Sequence, residues 1–224
     1  MTSGAPNANW CKITFMVRPW RRRADRFALI GNHGCLDFVN TEGVQKGQRV
    51  DFLAEFPDLV AWLSAAQLLG PAETDEAIRR WSGTPAGARA LVEARKLRAS
   101  LRQMLEQTAR GRPIAASTVE TINALLARPL GHGELVRNRD GFVRRVRFGL
   151  RAPVDLLVPV AEAASDFLCH ATFFLVRKCE NPPCLRYFYD LSKNRGRRWC
   201  SMTVCGNRMK VAAYHRRAQR RRRP

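Results

Sequence analysis

The sequence CENPPCLRYFYDLSKNRGRRWCSMTVCGNR, residues 179–208, organises the carboxyl-terminal part of this 224-residue chain. It contains two cysteine pairs, Cys179 with Cys184 and Cys200 with Cys205. Four residues separate the members of each pair, and fifteen residues separate the two pairs. Structural zinc sites usually take four thiolates as two close pairs that a loop brings together in a tetrahedron. The spacing therefore predicts one structural Zn²⁺ ion held by these four cysteines.

Other uses of four cysteines lead to different expectations. Disulfides occur mainly in secreted proteins, but this chain has seven cysteines and no early apolar run long enough for a secretory signal. We therefore expect a reducing, cytoplasmic setting in which the pairs bind metal. A redox dithiol, an iron–sulfur cluster and unliganded structural cysteines are the alternatives.

The positive charge of the chain is concentrated around these cysteines. Residues 177–224 hold 15 Lys and Arg against Glu180 and Asp190 only, so this segment carries 13 of the 20 net positive charges. Such a surface predicts a polyanionic partner, and the planar fork of arginine favours nucleic acid over an anionic membrane. No apolar stretch reaches the roughly 18 residues of a membrane span, so we expect no membrane partner.

The candidate nucleic-acid contacts lie in the loop before Cys200 and in the segment after Cys205. They are Lys193, Arg195, Arg197, Arg198, Arg208, Lys210, Arg216 and Arg217. Residues 208–223 predict a helix whose Val211, Tyr214 and Ala218 pack on the zinc module while the basic side chains face outwards. Backbone contacts carry no sequence information, so charge alone does not indicate sequence specificity, and it does not separate DNA from RNA.

The aromatic residues of this segment have two interpretations. Tyr187, Phe188, Tyr189 and Trp199 either cover the metal site or stack on bases. We favour the first, because so small a module has little else to bury.

The residues before the cysteines predict a mainly helical body. Apolar residues at helical spacing predict helices at 56–69, after Thr74, at 88–110, at 117–126 and at about 154–176. Ser117 and Glu120 are expected to form a capping box at the start of the fourth of these helices.

Between the last two of these predicted helices, apolar residues recur at every second position, which predicts a small β element. Residues 134–138 and 142–148 alternate apolar and basic side chains on either side of Asp140 and Gly141, which is typical of a hairpin. A lone hairpin is marginal, so it should pack on the helices or pair with strands from the apolar N-terminal stretch. The fold class is therefore α+β, a mainly helical N-terminal domain with a small antiparallel β element, followed by a small four-cysteine zinc finger.

A polar cluster lies within the first apolar stretch of the body. His33, Asp37, Asn40 and Thr41 are candidates for lining a ligand pocket, although we favour helix and turn capping, which these residue types routinely perform. The chain contains no glycine-rich phosphate loop, nucleophile elbow or His/Glu metal pair. We therefore expect no enzymatic activity.

Two sequence motifs resemble known families. The stretch WCSMTVCGNR at 199–208, with CENPPC and FYDLSKNRGRRWC before it, resembles the CGNR zinc finger, a bacterial module. The stretch CLDFVNT at 35–41 and the helix-rich segment after it resemble the ABATE domain, which precedes this finger in stress-induced transcription regulators. The resemblance implies that the four cysteines bind zinc and that the finger binds DNA.

These observations divide the chain into four segments. Residues 1–26 are a basic arm, 27–176 an ABATE-like domain, 177–218 the zinc finger and 219–224 a basic tail. Together with the resemblance, they predict a zinc-dependent, DNA-binding transcription regulator that responds to stress or to a ligand through its N-terminal domain, with an unknown small-molecule or protein effector. An RNA-binding module and a zinc-stapled protein-interaction protein are the alternatives.

Overall fold

A computed structural model describes residues 26–45, 47–129, 131–138 and 141–221 of the chain. All but the last residue of the predicted basic arm, and residues 222–224 of the predicted tail, lie outside these ranges. Among the described residues, no helix has the length and apolar character needed to cross a membrane.

The body begins with a short helix and a hairpin, followed by four longer helices. These elements are α1 (Gly34–Val39), β1 (Glu42–Gln45), β2 (Gln48–Asp51), α2 (Phe56–Ala65), α3 (Pro71–Trp81), α4 (Pro85–Ala109) and α5 (Ala116–Leu126). A second hairpin, β3 (Gly131–Asn138) and β4 (Gly141–Phe148), precedes a 3₁₀ turn (Pro153–Leu157) and α6 (Val158–His170).

The carboxyl-terminal part is assembled from shorter elements. A 3₁₀ turn (Phe173–Leu175) leads into β5 (Val176–Lys178), which pairs with β6 (Tyr187–Tyr189). A π-helical turn (Met202–Gly206) then runs directly into α7 (Asn207–Arg221). The described strands form three separate two-stranded antiparallel sheets, so the predicted α+β class is confirmed.

Helix α4 is the central element of the core. Thr84 caps it by accepting a hydrogen bond from the Gly87 amide at 3.1 Å, and Pro85 pre-forms the first turn. Its apolar stripe, which includes Leu97, Leu101, Met104 and Leu105, is almost completely buried. Burial of each such side chain contributes about 1.5 to 3 kcal/mol, so this stripe holds α1, α2 and α5 around the helix.

The prediction of a single last helix in the body is wrong. Instead of one helix over about 154–176, the chain forms a 3₁₀ turn, α6, a second 3₁₀ turn and the start of β5. Pro153 and Pro159 lie in the first turns of the 3₁₀ segment and of α6, where proline is tolerated because the first amides of a helix need no intrahelical partner. Ala171 is extended and ends α6.

Two predicted helix starts also differ from the structure. The helix expected after Thr74 begins at Pro71, and the Thr74 hydroxyl lies within it, donating to the Gly70 carbonyl at 2.7 Å. Helix α5 begins at Ala116 after Ala115, which makes no side-chain cap, so the capping box predicted from Ser117 is wrong. The other predicted helices are confirmed with shifted ends.

The predicted hairpin is confirmed, and its strands pair in register from Gly131 with Phe148 to Asn138 with Gly141. Its connecting residues 139–140 lie outside the described ranges. It does not join the N-terminal apolar stretch, because that stretch forms α1 and a hairpin of its own, with Gly47 at φ 83° in the turn. Only glycine adopts this backbone conformation at no steric cost.

A partly buried ion pair fixes the first hairpin to α4. The Arg98 guanidinium donates to both carboxylate oxygens of Asp51, at 2.7 and 2.6 Å, and to the Thr41 hydroxyl at 3.1 Å. Burial opposes ionisation of Asp51, but the hydrogen bonds and charge of Arg98 outweigh it and lower the pKa of this carboxyl. The pair therefore favours the charged form in the folded protein.

Candidate metal centre

The four paired cysteines converge on one point. All four Sγ atoms lie within 4.8 Å of one another, with 3.7 Å between Cys184 and Cys200 and 3.6 Å between Cys200 and Cys205. A Zn–S distance of about 2.3 Å in a tetrahedron places neighbouring sulfurs about 3.8 Å apart. The side chains thus already have the dimensions of a four-thiolate zinc site.

Local turns position each pair. The Cys184 amide donates to the Asn181 carbonyl at 2.8 Å, which closes the turn of the first pair. The amides of Cys205 and Gly206 both donate to the Ser201 carbonyl at 3.0 Å and form the π-helical turn of the second pair. A Cβ at position 206 would lie 3.1 Å from Cδ1 of Trp199 and 2.4 Å from Sδ of Met202, so glycine permits this close approach.

Hydrogen bonds from N–H groups favour thiolates at two of the cysteines. The Asn181 amide nitrogen, nearly buried, donates to Cys205 Sγ at 3.3 Å, and the Cys200 backbone amide donates to Cys179 Sγ at 3.4 Å. Such partners orient metal ligands and stabilise their charge.

Contacts among three of the thiols favour the thiolate of Cys179 at the expense of Cys184 and Cys200. Hydrogen bonds from Cys184 and Cys200 lower the pKa of Cys179 from 9.0 to about 2. The same contact with Cys179 raises the pKa of Cys184 to about 11 and also raises the pKa of Cys200. A divalent cation supplies the charge that stabilises four thiolates together, so the donor set fits Zn²⁺.

A second apolar cluster covers the cysteines. It contains Phe188, which is fully buried, with Trp199 and Ile30 packed beside it. Tyr187 and Tyr189 lie on the opposite face of β6 and pack against the main core of the body instead. The aromatic residues were expected to cover the metal together, and this expectation is confirmed for Phe188 and Trp199 but wrong for the two tyrosines.

Arg197 is built into the finger. Its guanidinium donates to the carbonyls of Ile30, Trp199 and Cys200 at 3.1, 3.1 and 2.5 Å, and its Cζ lies 4.2 Å from the centre of the Phe188 ring. The sequence offered Arg197 as a nucleic-acid contact, but the structure gives it the role of holding the loop before Cys200 in place.

The other predicted nucleic-acid residues are at the surface. In the loop, Arg198 pairs with Glu180 at 2.7 Å, Arg195 lies over the Phe174 ring at 5.3 Å, and Lys193 is exposed. On α7, the exposed basic residues are Arg208, Lys210, Arg216 and Arg217.

The rest of the protein covers little of helix α7. Val211 and Tyr214 are 55% and 70% exposed, so the prediction that they pack on the zinc module is wrong. The partly buried positions are Met209, Ala212, Ala213 and Ala218, so of the three residues predicted to pack only Ala218 is partly covered. The helix therefore presents both apolar and basic side chains to solvent.

The proposed pocket residues of the body make hydrogen bonds within the protein. His33 caps α1 by accepting from the Cys35 amide at 3.3 Å, Asp37 accepts from the Gly31 amide at 2.7 Å, and Thr41 donates to the Phe38 carbonyl at 2.7 Å. Together with Asn40, the C-cap of α1, they serve the capping roles that we favoured. None of the four lines the cleft described below.

Asn40 joins the body to the finger, which sequence reasoning missed. Its side-chain amide exchanges two 2.8 Å hydrogen bonds with the backbone of Tyr187, so it acts as a strand edge for β6. Arg102 of α4 adds bonds to the carbonyls of Val39 at 2.8 Å and Leu185 at 3.0 Å. Asn40 and Tyr187 are 147 residues apart, and no local pattern could have indicated the contact.

Replacing Asn40 with alanine is expected to lower the free energy of unfolding by about 2 kcal/mol. The substitution leaves two buried backbone groups of Tyr187 without partners, and each such loss costs about 1 to 3 kcal/mol. Urea unfolding, with amide hydrogen exchange at residues 185–190, measures both stability and docking of β6. Asn123→Ala on the exposed face of α5 is the control. Unchanged exchange at β6 in the Asn40 variant would contradict the bridging role.

Comparison with protein families agrees with this architecture. Residues 32–171 match the ABATE family, described as a putative stress-induced transcription regulator, and residues 176–218 match the CGNR zinc finger. A comparison with curated proteins gives no match. The cysteine cluster and the finger match confirm the predicted single structural zinc ion. The chain therefore belongs to the ABATE family and carries a CGNR zinc finger after its ABATE domain.

Proposed function

We propose that this protein is a DNA-binding transcription regulator in which the zinc finger presents α7 to duplex DNA. The observation that carries the proposal is the exposed basic helix that begins two residues after the ligand Cys205. Residues 191–221 contain no Asp or Glu, so nothing within this segment offsets its positive charge. Such a surface attracts the phosphate backbone.

The geometry of α7 favours DNA over RNA. Fifteen residues make a helix about 22 Å long, and the major groove of B-DNA admits an α-helix. The major groove of an RNA duplex is too deep and narrow for side chains to read. A free helix of this length is marginal in water, and the metal-bound turn before it restrains its first residues. Duplex DNA is therefore the partner that this arrangement fits best.

The family description supports a role in transcription, and we extend it to a response to stress in the bacterial cytoplasm. In this proposal the ABATE domain receives the signal and the contacts of Asn40 and Arg102 carry it to the finger. The protein acts without catalysis, because four thiolates close the zinc shell and leave no position for a reacting water.

Salt dependence of DNA binding tests the proposal. The zinc-loaded full chain is titrated into labelled 30-base-pair duplex DNA, and into an RNA duplex of matching sequence, from 50 to 300 mM salt. We expect the triple variant Lys210→Gln, Arg216→Gln and Arg217→Gln to flatten the slope of log affinity against log salt by up to about 2.7, or about 0.9 for each phosphate that the variant no longer neutralises.

A charge-matched variant controls for net charge. Arg79, Arg89 and Arg112 are exposed in the body, and their replacement by glutamine removes the same three charges. The control should leave the slope nearly unchanged. Equal slopes for both triple variants, or tighter binding to RNA than to DNA, would refute DNA binding through α7.

A further inference from the structure

A cleft lies where the zinc finger meets the body. Its volume is about 310 Å³, at the lower end of small-molecule sites. The body contributes Ala28, Val44 and Phe52, and the finger contributes Pro183 and Val204. Two zinc ligands, Cys184 and Cys205, also line it, so the cleft reaches the metal centre.

The charged side chains in the described lining of this cleft are arginines. Arg26, Arg186 and Arg208 line it beside the neutral Gln45 and Asn181, and none of the described residues that line it carries a carboxylate. Arg26 is paired with Asp58, whereas no described carboxylate pairs with Arg186 or Arg208. Arg186 is partly buried, and Arg208 lies in the first turn of α7. Two available guanidinium groups thus face a space with apolar walls.

We propose that the cleft binds a small organic anion, a carboxylate or phosphate ester that carries an apolar group. Guanidinium groups pair with carboxylate and phosphate oxygens through two parallel hydrogen bonds. The walls formed by Val44, Phe52 and Val204 bury the apolar group, as ligand pockets do. A metal ion with four thiolates has a net charge of about −2, and neutralising it is the competing role for the two arginines.

Occupancy of this cleft links the ligand to the finger. Its walls come from both parts of the chain, and Arg208 is also a candidate contact for DNA phosphates. An anion bound to Arg208 competes with DNA for that side chain, so ligand and DNA weaken each other's binding by the same factor. This linkage rests on the proposed function, whereas binding of the anion does not.

Calorimetry of the zinc-loaded full chain, without DNA, tests the site. The probes are phenyl phosphate, inorganic phosphate and benzyl alcohol, which separate the charged part of the ligand from the apolar part. We expect phenyl phosphate to bind at least about tenfold more tightly than either of the other two. Arg186→Gln and Arg208→Gln should each weaken it about tenfold, because each removes a charge-assisted contact.

Arg217→Gln is the matched control, since it removes one exposed charge of α7 outside the cleft. It should change phenyl phosphate affinity less than twofold, and all variants should keep one zinc ion per chain. Equal weakening by Arg217→Gln, or equal affinity for inorganic and phenyl phosphate, would show non-specific attraction and overturn the proposal. If the Arg186 and Arg208 variants lose zinc and the original chain does not bind phenyl phosphate, the two arginines serve the metal centre alone.

Discussion

A chain with Cys200 replaced by serine is expected to lose its zinc ion and the ordered structure of the finger around it. Cys200 Sγ lies within 3.7 Å of both Cys184 and Cys205, so the substitution removes a thiolate at the centre of the site. Structural zinc contributes about 10 to 16 kcal/mol of apparent binding free energy in small fingers. The apolar cluster around the cysteines is too small to replace that contribution.

We expect the loss of ordered structure in the Cys200 variant to be confined to part of the finger. Tyr187 packs in the main core and is held by Asn40, so β6 should keep its protection from hydrogen exchange while residues 179–184 and 200–221 lose theirs. Metal analysis and exchange measured by mass spectrometry report the two effects. Cys169→Ser changes an exposed cysteine and should alter neither. One zinc ion per chain in the Cys200 variant would rule out the four-thiolate site.

The second large effect is expected from Asp51→Asn, which removes the carboxylate that pairs with the buried Arg98. Breaking a buried pair by removing one partner costs about 3 to 5 kcal/mol, because the remaining charge is left without compensation. We expect the free energy of unfolding to fall by about 3 kcal/mol. This value lies at the lower end of that range because a third of the Asp51 side chain is exposed. Urea unfolding measures this loss. The control is Glu93→Gln, which removes the carboxylate of an exposed pair with Lys96 and should cost less than about 1 kcal/mol.

The effect of Asp51→Asn should depend on pH. The folded-state pKa of Asp51 is lowered below the ordinary value of about 3.9, so the pair contributes its full stability above that value. The contribution is lost as the pH falls through the folded-state pKa. The difference between the original chain and the variant should therefore stay constant from pH 7 to about pH 4 and shrink below it. A difference that grows on acidification would contradict this assignment.

The metal site was predictable because its four ligands lie close together in the sequence. Two cysteine pairs and the turns inside them occupy 27 residues, and the thiolate geometry follows from their spacing. Helix α4 was predictable for a similar reason, since its apolar stripe repeats over 25 residues. Where the signal was short, as for α5 and the segment after α6, tertiary contacts determined the ends.

The roles of individual polar residues were not predictable in the same way. Arg197 and Arg208 have the same side chain and lie near the same cysteines, yet Arg197 binds carbonyl groups while Arg208 faces a cleft. The difference depends on carbonyls of Ile30 and Trp199, whose positions only the folded chain specifies. The exposure of Val211 and Tyr214 is a similar case, because helical periodicity identifies a face but not whether anything lies against it.

The paired hydrogen bonds between Asn40 and Tyr187 also constrain how such proteins diversify. A recombination event that joined this finger to an unrelated body would leave the β6 amide and carbonyl without an acceptor and a donor, and the Tyr187 ring without its site in the core. Exchange of the finger alone is therefore selected against. The two segments should pass together from ancestor to descendant, with Asn40 retained, because every residue except proline at position 187 offers the same amide and carbonyl.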